Sequence, residues 1–459
     1  METHNFTLEE NPNPLAKIAF LAWTPFHYYV YKNIIKHIPE AEFVVCKNWY
    51  LEDPFQAISK INNTVSFLKE QDAHWRVLKD IDQQSTVETF FGRYEIIVSL
   101  WYVPPLESLS LDDWFLGKKS VLINYGAGKD LINFAPWIAY FDISLVDGPR
   151  METYHKLLVE THIVGVPKYD DWFAETLDNE KVAEIKAALD PSKKTVLYLP
   201  THSALSSLYY FADEIIALKE KYNVIVKFHN HNKLTEKSIV EKFEEDKNLF
   251  LFGEEDDILL LFRLADIVIS DSSSALFETV LIDKPLVILD TTNDTSLLKK
   301  HVSGQEFNGF WYSGGLTYEK SIEEEIKKNE HAVGVVVKTG DNLAAAIEIA
   351  LTEPQRFANP REILRKNIFS YSDGSAGRRA ADIILAYVPR ERPTHPLLGM
   401  AIRSYYTKKL KTYKLSFRKI LERVDFLSKQ QISYTMLKQE KNVFRKLLKI
   451  IQVFFRQEI

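Results

Sequence analysis

Between Leu264 and Asp290 the chain reads LADIVISDSSSALFETVLIDKPLVILD, a pattern few folds accept. Residues 264–269 form a mostly apolar run of the kind buried on both faces of a parallel sheet. Ser270-Asp271-Ser272-Ser273-Ser274 breaks that run with residues that favour helix N-caps. Leu276, Phe277, Val280 and Leu281 then recur at helical spacing, Asp283-Lys284-Pro285 stops the helix, and residues 286–289 supply a second strand. Such a unit is an anion site in outline, because the first N–H groups of a helix lack internal partners and the dipole there favours negative charge. The three serines add hydroxyl donors, so a diphosphate could sit here without glycines. Glu278 follows one turn after Ser274, about 6 Å along the axis at ~1.5 Å per residue, roughly the step from a diphosphate to a ribose. The same residues would equally make an N-cap cluster with a solvated glutamate.

The alternation extends over most of the chain. Residues 17–23, 42–46, 94–100, 120–124 and 141–146 read as strands, with helices over 28–35, 53–69 and 150–160. A charged helix over 179–189 and the break Asp190-Pro191-Ser192 put a boundary near 175–192. Strands resume at 195–199, 223–227, 249–252 and 335–337, with helices over 341–351 and 376–387, the last capped by Ser372-Asp373-Gly374-Ser375. The pattern predicts an α/β chain of two Rossmann-type, doubly wound domains, residues 1–178 and 190–390, each binding ligands at the carboxyl ends of its strands. Residues 400–459 form a third piece, a helical tail.

That tail carries 15 Lys and Arg against 4 Asp and Glu from Ala401 onward, in a chain whose net charge is −6. Phe444, Leu447, Leu448, Ile451, Phe454 and Phe455 fall on one helical face and Arg445, Lys449, Gln452 and Arg456 on the other. This is the profile of a basic amphipathic helix that docks on an anionic membrane surface, or else packs on the acidic body. No apolar run reaches the ~18–20 residues that span a bilayer, and the N-terminal residues lack the layout of a signal peptide. The single Cys46 excludes an internal disulfide and a cysteine-built metal site. The expected location is the cytoplasm, peripheral at the inner face of the membrane. An acidic body without RNA-binding motifs argues against nucleic acid as a partner.

The stretch 264–289 resembles the nucleotide-binding segment of the CDP-glycerol glycerophosphotransferase family, enzymes of teichoic-acid and capsule synthesis. That family reads strand, Asp-Tyr-Ser-Ser, helix, Pro-led strand; here Ser272 stands at the tyrosine, and the family's helix acid falls at Glu278. Four further pieces match in order. Gly165-Val166-Pro167-Lys168-Tyr169-Asp170 is similar to Gly-x-Pro-Arg-x-Asp, and Leu199-Pro200-Thr201-His202 to a Pro-Thr turn. Lys227-Phe228-His229 is similar to Lys/Arg-x-His, and Asp373-Gly374 with Arg378-Arg379 to Asp-Gly-x-x-x-x-Arg. The likeness covers about residues 120–388 and implies a GT-B-like fold.

It also implies roles. Asp271, Ser272, Ser273, Ser274, Thr201, His202 and Glu278 would bind the donor, with His229 placed to donate to a phosphate or leaving group; His231 reads as solvated. Arg378 and Arg379 present guanidinium forks for a phosphate. Gly126, Gly128 and Lys129 form a turn where the lysine could neutralise phosphate. The family's first-domain His-Gly turn, source of its expected general base, is here Tyr125-Gly126-Ala127-Gly128-Lys129. A phenol near pKa ~10 is a poor base at neutral pH. His27, on the loop after the first strand, is the other candidate; otherwise the substrate differs or activity is lost. Asp80-Ile81-Asp82 does not follow a convincing strand, so no metal or other cofactor is expected, and Glu254-Glu255-Asp256-Asp257 reads as a solvated helix start.

The function these features imply is transfer of an alditol-phosphate group from a CDP-activated alditol to a lipid-linked or polymeric hydroxyl, with release of CMP. A nucleotide-sugar glycosyltransferase and a catalytically inactive nucleotide-binding homologue are the alternatives.

Overall fold

The computed structural model describes residues 9–46, 54–78, 93–100, 119–127, 138, 141–156, 159–202, 206–291 and 332–387. They form two all-parallel sheets. The first comprises β1 (Ile18–Ala22), β2 (Ala41–Cys46), β3 (Trp75–Leu78), β4 (Ile96–Ser99), β5 (Lys119–Ile123), β6 (Ile143–Val146) and β7 (Glu160–Ile163), in the order β3-β2-β1-β4-β5-β6-β7. The second comprises β8 (Thr195–Leu199), β9 (Asn223–Lys227), β10 (Phe250–Phe252), β11 (Ile267–Ser270), β12 (Leu286–Asp290) and β13 (Val335–Lys338), in the order β10-β9-β8-β11-β12-β13. Both reverse direction at their first strand, between β1 and β4 and between β8 and β11. Loops leaving such a switch point diverge and open a crevice at the strand carboxyl ends. The central strands are buried along their whole length, as their unbroken apolar runs require.

The expected alternation is present, with differences in detail. β3 and β7 were not foreseen. They are edge strands, and Arg76, Glu160, Thr161 and His162 interrupt their apolar pattern. The helix expected over 150–160 ends at His155, and Glu160 begins β7. The strand expected from Leu264 starts at Ile267, because Asp257 caps a helix over Ile258–Leu264 by accepting the Leu259 N–H at 2.9 Å.

The last described helix, Ala376–Tyr387, lies in the range assigned from sequence to the second domain but packs into the first. Ala380, Ala381 and Ile384 are buried with Val30, Tyr31 and Ile34 of the helix Phe26–Ile35. Gly377 permits this approach, since a Cβ there would stand 2.1 Å from the Asn33 carbonyl oxygen. The Asp170 carboxylate accepts the N–H groups of Ala376 and Gly377 at 2.9 and 2.7 Å, so the cap comes from a distant segment. Nearby, Gly165 at φ +88° packs against the Ser370 carbonyl. The chain thus crosses to the second sheet and back through two segments lying side by side.

Polar contacts also join the halves. Lys60 pairs with Glu254 at 2.5 Å, Lys32, itself held by Asp171 at 2.9 Å within the first half, pairs with Asp257 at 3.3 Å, and the Tyr29 hydroxyl donates to the Glu255 carbonyl at 2.5 Å. The 254–257 segment is therefore not a solvated helix start. It is a helix start held against the first half. No helix among the described residues is long and apolar enough to cross a membrane. The tail at 400–459 lies outside the described residues, as does Asp80-Ile81-Asp82.

Candidate functional site

At the switch point of the second sheet, β11 runs into Ser270-Asp271-Ser272-Ser273, and the helix Ser274–Leu281 begins. Ser273 is its N-cap, accepting the Ala275 N–H at 3.3 Å. Asp271 is wholly buried, and its carboxylate is spent on protein. It accepts the Thr201 N–H at 2.9 Å, and the Ser207 N–H and hydroxyl at 2.8 and 2.6 Å. Its predicted place among substrate ligands is corrected accordingly: it fixes the loop after β8 beside the serine turn. Ser272 is buried, whereas Ser274 opens the first turn of the helix and is half-buried.

From the first half, the turn after β5 meets this helix. Gly126 has φ +83°, and a Cβ on it would stand 2.8 Å from the Ser274 Oγ, so only glycine fits there. Tyr125 packs on Phe26, with ring centroids 4.8 Å apart. One turn along the helix, Glu278 Oε2 accepts from Lys168 Nζ at 2.8 Å and from the Tyr169 hydroxyl at 2.7 Å. Lys168 and Tyr169 are both buried, and Lys168 lies over the Phe26 ring at 5.2 Å. The Gly-Val-Pro-Lys-Tyr-Asp segment thus splits its duties: Lys168 and Tyr169 hold Glu278, and Asp170 holds the returning helix.

Between these groups lies a crevice of about 20 Å³ lined by Tyr125, Gly126, Asp147, Lys168, Glu278 and Phe369, among others. Asp147, just past the end of β6, was not foreseen as a site residue. It is 3% exposed, and its Oδ1 has no hydrogen-bond partner among the described residues. Burial pushes its carboxyl up to about 7, against the opposing pull of nearby backbone N–H groups and the Arg150 charge. The available signal was its position, an acid at the carboxyl end of a parallel strand.

The three residues expected to carry catalysis sit in different settings. His27 is buried beneath Trp23, with ring centroids 4.1 Å apart, and its Nδ1 lies 3.1 Å from the Thr24 hydroxyl and 3.2 Å from the Thr24 carbonyl oxygen. Burial lowers its pKa to about 3, so the ring is neutral and a feeble base. Tyr125 lines the crevice, but burial and then the Glu278 charge raise its phenol further above the usual range. Neither suits the base role assigned from sequence. His229, past the end of β9, stacks on His202 at 4.3 Å, and His231, read as solvated, joins them at 5.0 Å from His202 and 5.5 Å from His229. Asn232 holds this turn, accepting the His229 N–H at 2.6 Å and donating to the Thr201 carbonyl at 3.0 Å. Lys227, at the end of the same strand, donates to the Gly253 carbonyl, and burial lowers its pKa to about 8.

Arg379 is not free to grip a phosphate. Its guanidinium forks onto Asp373 with two 2.9 Å bonds, donates to the Val164 carbonyl at 2.9 Å and lies over Tyr371 at 4.2 Å. Arg378 is exposed. Gly128 and Lys129 lie outside the described residues. Among the described residues no group of three or more His, Cys, Asp or Glu is arranged to hold a metal ion.

Residues 150–295 match the model of the family described as CDP-Glycerol:Poly(glycerophosphate) glycerophosphotransferase. The chain is 28% identical over 201 residues to a teichoic acid glycerol-phosphate primase from Bacillus spizizenii, covering 40% of this chain and 50% of that protein. It thus spans about half the length of the curated relative it matches. The wall teichoic acid polymerase TagF superposes with TM-score 0.52 at 14% identity, over 83% of this chain and 91% of that one. A variant of TagF soaked with CDPG gives 0.53 at 15% over the same shares. The fold is GT-B-like, as expected, and the resemblance to that family is borne out, with the four motifs between Gly165 and Asp290 inside the matched residues 150–295 and the Asp373–Arg379 motif outside them.

Proposed function

We infer from the match of residues 150–295 to the CDP-glycerol glycerophosphotransferase family that this chain transfers glycerophosphate or a similar alditol phosphate in teichoic-acid-type polymer synthesis. The donor is a CDP-alditol held by the second domain, residues 190–390. Its diphosphate lies on the N-terminal turn of the helix Ser274–Leu281, with Ser272, Ser273 and Ser274 as donors and His229 at the leaving side. The ribose hydroxyls are taken by Glu278, whose Oε2 is engaged by Lys168 and Tyr169 and whose Oε1 has no hydrogen-bond partner among the described residues. An acceptor hydroxyl enters from the first domain, residues 1–178, past Gly126, Gly128 and Lys129. It attacks the distal phosphorus and CMP leaves, so catalysis is mainly positioning and charge stabilisation. The acceptor is lipid-linked or polymeric. The basic tail would hold the protein at an anionic leaflet, at ~1 kcal/mol per Lys or Arg near the surface.

One observation carries the reading. A carboxylate stands one turn inside a serine-capped helix N-terminus and is fixed by two buried donors on the strip that joins the sheets.

The test is a thermal-shift screen with CDP, CMP, UDP, GDP and ADP, with CMP release then followed from CDP-glycerol. CDP should stabilise the wild type, by about 2.7 kcal/mol at a hundredfold excess over Kd, and fail to stabilise Glu278→Ala. A shift with UDP or GDP alone would move the reading to a nucleotide-sugar glycosyltransferase. CDP binding without CMP release would mark a binding protein.

A further inference from the structure

We propose that Asp147 is the general base that takes the proton from the acceptor hydroxyl. The proposal rests on the transfer reading above and supplies the group that Tyr125 and His27 fail to provide. Its warrant is geometric. Asp147 lies just past the carboxyl end of β6 and lines the same crevice as Gly126, Lys168 and Glu278. Buried carboxylate oxygens are almost always hydrogen-bonded, because leaving one bare forfeits its hydration with nothing in return. Oδ1 of Asp147 is bare among the described residues. A hydroxyl entering the crevice would satisfy it.

The surroundings suit the role. The backbone is anchored, since the Asp147 carbonyl accepts the Ser370 N–H at 2.9 Å, and Gly148 packs against Ile368 so tightly that a Cβ would stand 2.0 Å from its carbonyl oxygen. The side chain therefore leaves a rigid strand end. The charged and titratable groups around it are Arg150 on its own segment and Tyr125, Lys168 and Glu278 across the crevice. Lys168 is committed to Glu278, and Asp147 forms no ion pair among the described residues, although the Arg150 charge acts on it. A carboxyl poised near neutrality is a far better base than an ordinary one, because proton affinity and ionised fraction are then both useful.

The step balances. The acceptor O–H gives its proton to Asp147 Oδ1 as its oxygen forms the new bond to the distal phosphorus. The bond from that phosphorus to the bridging oxygen breaks, CMP departs with the electron pair, and Asp147 returns the proton to solvent.

The experiment measures CMP release by the full chain from CDP-glycerol with a poly(glycerophosphate) oligomer, between pH 5.5 and 9, beside CDP-induced thermal shifts. Wild-type kcat/KM should rise with pH through a midpoint near 7, where the carboxylate forms. Asp147→Asn should lower kcat by about 10²–10³-fold, erase that acid limb and leave the CDP shift intact, and Asp147→Glu should recover part of the loss. An Asp147→Asn variant within threefold of wild type, or one that keeps the acid limb, overturns the proposal. So does loss of the CDP shift together with activity, which would mark a structural role. If Asp147→Asn does not fold, a wild-type profile flat between pH 6 and 8 overturns it alone. A wild type that neither binds CDP nor releases CMP fails the transfer reading itself, and the proposal falls with it.

Discussion

At the scale of single residues, the site is arranged by which polar atoms are already engaged. Glu278 is fixed at one oxygen, Asp271 is consumed by backbone N–H groups and the Ser207 hydroxyl, and Asp147 Oδ1 has no partner among the described residues. His27 belongs to the engaged class, and its burial has a consequence for stability. Its folded pKa of about 3 lies below the 6.5 of an exposed imidazole, so the unfolded chain binds the proton more readily. The contribution of the neutral ring is complete above about pH 6.5 and declines as pH falls toward about 3. The slope is up to ~1.4 kcal/mol per pH unit. Urea unfolding at pH 7.5 and 5.0 should show wild type losing ~2 kcal/mol more than His27→Gln. Equal losses would mean that the folded ring accepts a proton normally.

At the scale of elements, the returning helix Ala376–Tyr387 depends on a cap supplied from 206 residues upstream. Asp170→Ala leaves two buried N–H groups without their acceptor and removes a negative charge from a helix N-terminus. It should cost ~2 kcal/mol, and Asp170→Asn about half that, read as a fall in urea midpoint. A neutral Asp170→Ala would mean that Asp373 or Ser375 replaces it. Elements of this kind were partly legible in the chain. β8 and β9 are legible at their observed bounds because each is an apolar run between stop signals, and this helix because an amphipathic run follows the Ser-Asp-Gly-Ser cap. β3 and β7 escaped because an edge strand needs only one apolar neighbour and tolerates charge. The site was legible as a set of motifs but not as a division of labour. Sequence shows that Arg379 carries a guanidinium, and only packing shows that Asp373, Val164 and Tyr371 have occupied it. Asp147 was passed over for the converse reason, since a missing partner leaves no trace in one dimension.

At the scale of the whole molecule, the crevice of about 20 Å³ holds roughly one water, and a nucleotide needs many times that. On the transfer reading, a donor seated in this crevice would have to part the halves, against Lys60–Glu254, Lys32–Asp257 and the Tyr29–Glu255 bond. Partly buried pairs of this kind hold more firmly than surface ones but remain sensitive to salt. Lys32→Met with Lys60→Met should raise the radius of gyration in small-angle scattering and speed nucleotide association severalfold. Unchanged values in both would show that the paired segments 163–178 and 369–376, not the ion pairs, set the closed state.

Those paired crossings also impose an order on synthesis. The first sheet has all seven strands by Ile163, yet Ala380, Ala381 and Ile384 of its core emerge more than 200 residues later. At ~5–20 residues per second on the ribosome, the nascent first half waits on the order of 10–45 seconds with the apolar face of its helix Phe26–Ile35 bare. During that interval the second sheet is made and can fold. The part of the molecule translated first is the part completed last, and its exposed face is where a chaperone would be needed.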